Sequence, residues 1–345
     1  MTAGRILITL GDPAGIGPEL VAKVAPQAAP GAIWIGSRAS LPTSGEAASL
    51  LDESLMTLPA PVVAADPAAD LSDHEADALR STWQQISGAT RSVLLDVSAS
   101  AGNEGPARRG EASAAGGRVA WQSLLVALRL MRASGSGSLT QSANAAEGAQ
   151  PLGLVTAPLN KRALDLADVP FRDHTSMLGA ATGRRSIMSF VGGGLRVVLA
   201  TIHLPLRAVP DELKVEPLAA LIATAGRELA RYDRLTAPRV AVAGLNPHAG
   251  EGGLFGTEEE LIISPAIERA RELAPTLTIS GPWPGDTVFH LAREGAFDVV
   301  IAMFHDQGLS AVKTLAFHET VNATLNLPFV RTSPDHGTAY DLVGT

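Results

Sequence analysis

Short aliphatic runs recur along this chain, each closed by a cluster of glycine, proline or polar residues and followed by a longer stretch with helical spacing. That alternation is the pattern of βα units around a mostly parallel sheet, because parallel strands covered on both faces read as continuous Val/Ile/Leu runs. Arg5–Leu10 predicts the first strand; Ala32–Ile35, Gly153–Thr156, Leu195–Thr201, Val240–Ala243, Leu277–Ile279 and Val299–Met303 predict others. Arg118–Ala133, Pro217–Arg231 and Ser264–Leu273 read as amphipathic helices. A further helix is expected from Pro18 to about Val24, since proline is pre-organised for a first helical turn. The fold class is therefore α/β. At 345 residues the chain exceeds one ordinary core, which points to two domains.

Two stretches break the pattern. Ser98–Gly117 and Ala133–Gly153 are rich in Ala, Gly and Ser and hold few large apolar residues to offset their ordering entropy. They read as long surface loops flanking the Arg118–Ala133 helix, with an active-site lid as the functional alternative. Composition removes several function classes. With no cysteine there is no disulfide framework, no thiolate nucleophile and no Cys-ligated metal, so a metal would bind through histidine, carboxylate or water. The formal charge of -8 has the wrong sign for general electrostatic binding to nucleic acid or an anionic membrane. An anionic substrate would need a local cationic site. No apolar run approaches the roughly 20 residues of a membrane span. The N-terminus lacks the parts of a secretory signal, so a cytoplasmic enzyme is the expectation.

Polar clusters that directly follow strands stand where parallel α/β sheets bind ligands. Gly11-Asp-Pro-Ala-Gly-Ile-Gly-Pro-Glu19 is neither a dinucleotide fingerprint nor a Walker loop. It is either a tight turn with Asp12 as a local cap or a ligand contact. Three histidines share one context: VVLATIH ends in His203, VAVAGLNPH in His248 and VVIAMFH in His305. Three strand ends could converge these imidazoles on one divalent metal and leave coordination positions for substrate oxygens. His174 and Thr175 form a donor cluster suited to an oxyanion; the alternative is a helix N-cap at Thr175 or Ser176. Lys313, eight residues after His305, could neutralise a phosphate or relay a proton. Arg331–Ala339 is dense in donors, as functional loops often are.

Taken in order, GDPAGIGPE, TAPLNK, DHTS, IHLPLR, GLNPHAGEGGLFGTEE, GPWPGDT, MFHDQGLSAVK and VNATLNLPFVRTSPDHGTAYDLVG resemble the 4-hydroxythreonine-4-phosphate dehydrogenase family of pyridoxal phosphate biosynthesis. The resemblance implies a two-domain α/β/α subunit similar to the isocitrate and isopropylmalate dehydrogenases, with its active site in the interdomain cleft. The first domain is expected at 1–155 plus about 315–345, and the second, with the metal-binding histidines, at about 156–314. A homodimer with the active site at or near the subunit interface is implied, with no nucleic-acid or membrane partner. The metal ligands would be His203, His248 and His305. The substrate-binding positions would be His174, Thr175, Lys313, Asn322 and Arg331. Lys313 and Asp286 are the catalytic candidates, and His336, Gly337, Thr338, Ala339 and Asp341 would bind the cofactor, NAD or NADP.

The reaction implied is oxidation of the C3 hydroxyl of 4-phosphooxy-L-threonine, followed by loss of carbon dioxide to give 3-amino-2-oxopropyl phosphate. Three imidazoles suit zinc, cobalt, manganese or nickel and accept magnesium weakly. The chain departs from the family pattern at Ser176 and Asn326, where an acidic residue and a glycine are usual. The alternative is therefore a paralogous dehydrogenase of the same fold that acts on phosphorylated threonate or erythronate, or on a carboxylated dihydrodiol. Members of the family usually run on through one more helix, whereas this sequence ends at Thr345.

Overall fold

The computed structural model describes residues 5–28, 32–99, 109–134 and 151–344. The chain forms two compact units, Met1–Ser186 with Leu327–Thr345, and Ile187–Asn326. In chain order the strands are β1 (Arg5–Thr9), β2 (Ala32–Gly36), β3 (Leu55–Pro59), β4 (Ser92–Asp96), β5 (Pro151–Thr156), β6 (Ile187–Gly192), β7 (Leu195–Leu199), β8 (Arg239–Ala243), β9 (Thr278–Trp283), β10 (Val299–Ala302), β11 (Val321–Leu325) and β12 (Val330–Pro334).

In the first unit the strands run β3-β4-β2-β1-β5-β12, and every pairing is parallel. Successive side chains of a strand face opposite layers, and the two cores divide on that rule. Ile33, Ile35, Val93 and Leu95 pack with Leu124, Leu125 and Leu128 of the helix Ala114–Ser134. Trp34 and Leu94 pack on the other side with Val21 of the helix Gly17–Val24 and Leu51 of Glu46–Ser54. Burial on both faces is why these strands read as unbroken apolar runs.

The helix Ala114–Ser134 begins inside the stretch expected as a loop. Ser113 Oγ accepts the Gly116 N–H at 3.1 Å, so a hydroxyl cap starts the helix at Ala114, four residues before the expected start at Arg118. The rest of the two Ala/Gly/Ser-rich stretches lies largely outside the described residues.

The second unit orders its strands β11-β6-β7-β10-β8-β9. Here β7, β10, β8 and β9 are parallel neighbours, while β6 pairs antiparallel with both β7 and β11. The β6–β7 connection is the two-residue turn Gly193–Gly194, with φ of 59° and 81°. Positive φ at both positions matches the twist of a hairpin, which explains the GGG run. One face carries Val198, Val240, Val242 and Ile301 against the helices Val215–Tyr232 and Ser264–Leu273. The other carries Val197, Ala241 and Val300 against Val288–Arg293 and His305–Ala316.

The unit boundaries fall at 186/187 and 326/327 rather than near 155 and 315. Leu164, Met177, Leu178 and Ala181 join the first core. A side chain on Gly117 would meet Ala163 O at 2.0 Å, so the helices Ala114–Ser134 and Lys161–Leu166 approach at backbone contact. At the other boundary, β11 is held by five residue pairs to β6. His174 and Thr175 therefore belong to the first unit and Asn322 to the second.

Candidate functional site

β10 lies between β7 and β8, all three parallel, so their C-terminal ends share one edge of the sheet. His203 follows β7, His248 follows β8, and His305 follows β10 as the first residue of the helix His305–Ala316. The His203 and His305 rings stand 5.6 Å apart between centroids. His305 Nδ1 lies 2.7 Å from Asp306 Oδ1, an orienting contact of the kind that leaves Nε2 to a ligand. His248 is exposed, with its ring 6.0 Å from that of Phe255. Among the described residues no group of three His, Asp or Glu side chains is close enough to hold a metal. The structure thus brings two of the three rings together and places the third on the neighbouring strand end. A donor set of imidazoles at one sheet edge, with no cysteine anywhere in the chain, fits a borderline divalent metal.

Behind the rings, polar bonds tie the strand ends together. Thr201 Oγ1 donates to Met303 O at 2.8 Å. The Gln307 amide accepts from Met303 N at 2.6 Å and donates to Gly244 O at 2.7 Å, while Gly244 N donates to Trp283 O at 2.7 Å. The loops before His203, His248 and His305, and the one leading to Asp286, therefore share one chain of hydrogen bonds. Asp286 is exposed between β9 and the helix Val288–Arg293. Lys313, half-buried on the helix His305–Ala316, lies with its Nζ 5.7 Å from the Phe317 ring centroid. Asn322 is half-buried on β11 opposite Phe190.

The first unit carries the anion-binding candidates. Arg331 on β12 is only 5% exposed, and its Nη2 donates to Thr156 Oγ1 on β5 at 2.6 Å. Burial pushes its guanidinium down to about 10, which still leaves it cationic at neutral pH. His174 opens the helix His174–Thr182, and burial together with the Arg331 charge holds its imidazole well below the ordinary histidine value. A neutral imidazole thus faces a fixed cation. The N-cap of this helix is Asp173, whose carboxylate accepts Ser176 N at 2.8 Å and the Ser176 hydroxyl at 2.9 Å. This corrects the expectation of a cap at Thr175 or Ser176: the Asp173 carboxylate, just ahead of the first helical residue His174, satisfies the helix end, and Thr175 sits in the first turn. Helix N-termini favour anions through their unbonded N–H groups and dipole.

The Gly11–Glu19 turn and the loop at 336–344 form one module. Asp12 is 1% exposed; its Oδ1 accepts Ala14 N at 2.9 Å and its Oδ2 accepts the Tyr340 hydroxyl at 2.6 Å. Burial raises both the Asp12 carboxyl and the Tyr340 phenol. Ile16 N donates to Thr338 O at 2.9 Å, and Gly344 N to Glu19 Oε1 at 2.9 Å. A side chain on Gly15 would come within 2.9 Å of Thr338 O, which requires glycine there. Thr338 is buried, Ala339 has φ of 45°, and His336, Gly337 and Asp341 are exposed, with His336 Nδ1 2.9 Å from Gly337 O. Asp12 therefore anchors its own turn and the loop carrying Thr338, which settles its role as a cap.

The family described as "Pyridoxal phosphate biosynthetic protein PdxA" matches residues 53–345, a span that includes every site residue named above except the Gly11–Glu19 turn. A 4-hydroxythreonine-4-phosphate dehydrogenase from Beijerinckia indica is 38% identical over 340 residues, 98% of this chain and 89% of that protein. The chain belongs to the PdxA family. A PdxA-family relative of the same name from Desulfosudis oleivorans is 54% identical over 193 residues, 56% of this chain and 57% of that protein. The solved structure of a 4-hydroxythreonine-4-phosphate dehydrogenase from Klebsiella pneumoniae superposes with a TM-score of 0.73 at 31% identity, covering 98% of this chain and 93% of that one. Among the described residues no helix is long and apolar enough to cross a membrane.

Within this PdxA-family chain, sequence reasoning did not single out Thr156, Thr201, Glu259 or Tyr340. Their partners lie 13 to 328 positions away in the sequence. The one available signal was Tyr340, an aromatic inside an otherwise small and polar loop.

Proposed function

We propose that this chain catalyses the NAD(P)-dependent oxidative decarboxylation of 4-phosphooxy-L-threonine. Supporting the substrate class is one observation above the others: Arg331, buried at a parallel strand, faces a neutral His174 at a helix N-terminus. A buried guanidinium is a poor choice unless an anion meets it, and its planar fork suits phosphate or carboxylate. Thr175 adds a hydroxyl donor on the same turn. The net charge of -8 makes this local cation the means of recruiting an anionic substrate.

The residues assigned to the metal are His203, His248 and His305, with zinc, cobalt, manganese or magnesium as candidates, and those assigned to NAD or NADP are His336, Gly337, Thr338, Ala339 and Asp341. When bound, the metal supplies Lewis acidity to a substrate oxygen, and the nicotinamide accepts the hydride. Arg331, His174, Thr175 and Asn322 hold the anionic groups. Lys313 takes the C3 hydroxyl proton as the C–H pair leaves as hydride, and returns a proton to the carbon that loses carbon dioxide. Asp286 lines the site and orients the amino acid end. Two copies of the chain assemble as a homodimer, with the reaction in the cytoplasm.

The test follows NAD(P)H formation with 4-phosphooxy-L-threonine against phosphorylated threonate and erythronate, with and without a chelator. Turnover of the first, lost on chelation and restored by divalent metal, is expected. Turnover confined to a phosphorylated sugar acid would overturn the substrate assignment.

A further inference from the structure

Glu259 opens a π-helical turn at Glu259–Ile263 and is 5% exposed. Its Oε1 accepts Leu245 N and Asn246 N, both at 2.7 Å, and its Oε2 accepts Asn246 Nδ2 at 2.9 Å. Asn246 Nδ2 also donates to Glu258 Oε2 at 2.7 Å. The backbone wraps the carboxylate closely: a side chain on Gly250 would meet Oε2 at 2.7 Å, and one on Gly244 would meet Oε1 at 3.1 Å.

That wrapped segment carries His248. From His248 to Gly253 every residue has positive φ, including the non-glycine residues His248 (52°), Ala249 (52°) and Glu251 (44°). L-residues avoid this region, and a run of them persists only where its surroundings over-determine it. The Glu259 carboxylate supplies that constraint at Leu245 and Asn246, just ahead of the run. It does not touch the imidazole, yet it fixes the backbone from which the imidazole projects.

We propose that Glu259 is a positioning residue, whose buried carboxylate pre-forms the left-handed loop that presents His248 to a divalent metal. This rests on the three-histidine reading given above. Partners that orient metal ligands typically change metal affinity by about 10- to 100-fold when removed. Glu259→Gln keeps the shape and one acceptor oxygen but turns an NH2 toward Asn246 Nδ2, so the cradle opens on one side.

The experiment titrates Co2+ into metal-free protein and reads affinity from the visible absorption of the bound ion, for wild type, Glu259→Gln, Asn246→Ala, His248→Ala and the exposed-site control Glu260→Gln. Expected are a 10- to 100-fold weaker affinity for Glu259→Gln, a smaller loss for Asn246→Ala, unchanged binding for Glu260→Gln, and kcat of Glu259→Gln restored by raising the metal concentration. Circular dichroism of the metal-free chains shows whether Glu259→Gln folds; if it does not, Asn246→Ala carries the test. Binding by both variants within threefold of wild type, while His248→Ala loses it, overturns the positioning role and leaves the metal reading intact. A wild-type chain that takes up no Co2+, or a His248→Ala chain that binds normally, overturns both.

Discussion

In the first unit Arg331 is fixed through its own side chain, by burial and by the 2.6 Å bond to Thr156, with the half-buried His174 set at the start of the helix His174–Thr182. The histidines of the second unit stand exposed or half-buried at strand ends and are fixed through the backbone behind them, by Thr201, Gln307 and Glu259. The difference follows from what each group must do. A cation that recruits an anion gains strength in a dry setting, where charges are poorly screened. Imidazoles that must leave room for substrate oxygens cannot be enclosed, so precision has to come from the loops that carry them.

The largest test of this contrast is Arg331→Met, expected to reduce kcat/KM for the phosphorylated substrate by 100-fold or more, since a charged hydrogen-bonding pair contributes about 1.5–3 kcal/mol and the neighbouring polar groups lose their partner. Steady-state kinetics within threefold of wild type would remove Arg331 from the anion site. Next, Gln307→Leu cuts the Met303 and Gly244 bonds at once and should weaken divalent-metal affinity about tenfold or more, with substrate affinity at saturating metal little changed. An equal loss in both measurements would mean that the two regions are not held separately.

A third test uses pH. Because the folded His174 is held below its unfolded value near 6.5, the unfolded chain takes up a proton that the folded chain refuses. Stability from this source is full above about pH 6.5 and is lost as pH falls toward the depressed folded value, by at most about 1.4 kcal/mol per pH unit. Urea unfolding at pH 7 and pH 5 should show that slope reduced in His174→Gln; parallel slopes would contradict it. The smallest effects are expected in the Asp12–Tyr340 pair: Tyr340→Phe leaves Asp12 Oδ2 without its phenol donor and should cost about 1–2 kcal/mol of first-unit stability. Asp12→Asn should cost less, because the phenol oxygen can also accept a hydrogen bond. Melting temperatures in the reverse order would refute that account.

Two-sided burial writes itself into composition, and β1, β2, β7, β8 and β10 lie where their Val/Ile/Leu runs predict. β3 was not anticipated, nor was β4 despite its burial on both faces, nor β11, where Val321 is exposed, Asn322 is polar and only Thr324 and Leu325 are buried. The placement of the three histidines after neighbouring parallel strands was readable from local runs alone. Glu259 and Asp12 were not readable in their roles, since a carboxylate that clasps backbone leaves no periodic trace. The unit boundaries depend on which core Leu164 and Met177 join, and their local sequence does not specify it.

One consequence of the first unit's make-up concerns the order in which it can be completed. β12 is its sixth strand, and Tyr340 and Gly344 close the Gly11–Glu19 turn. All of these are translated after the whole of Ile187–Asn326. Vectorial synthesis therefore delivers the second unit as one continuous stretch able to fold while the first still waits for its last strand. The nascent Asp12 spends that interval without the phenol that later holds it, so a stalled or slowed ribosome over 187–326 would prolong exposure of the first unit's open sheet edge at β5.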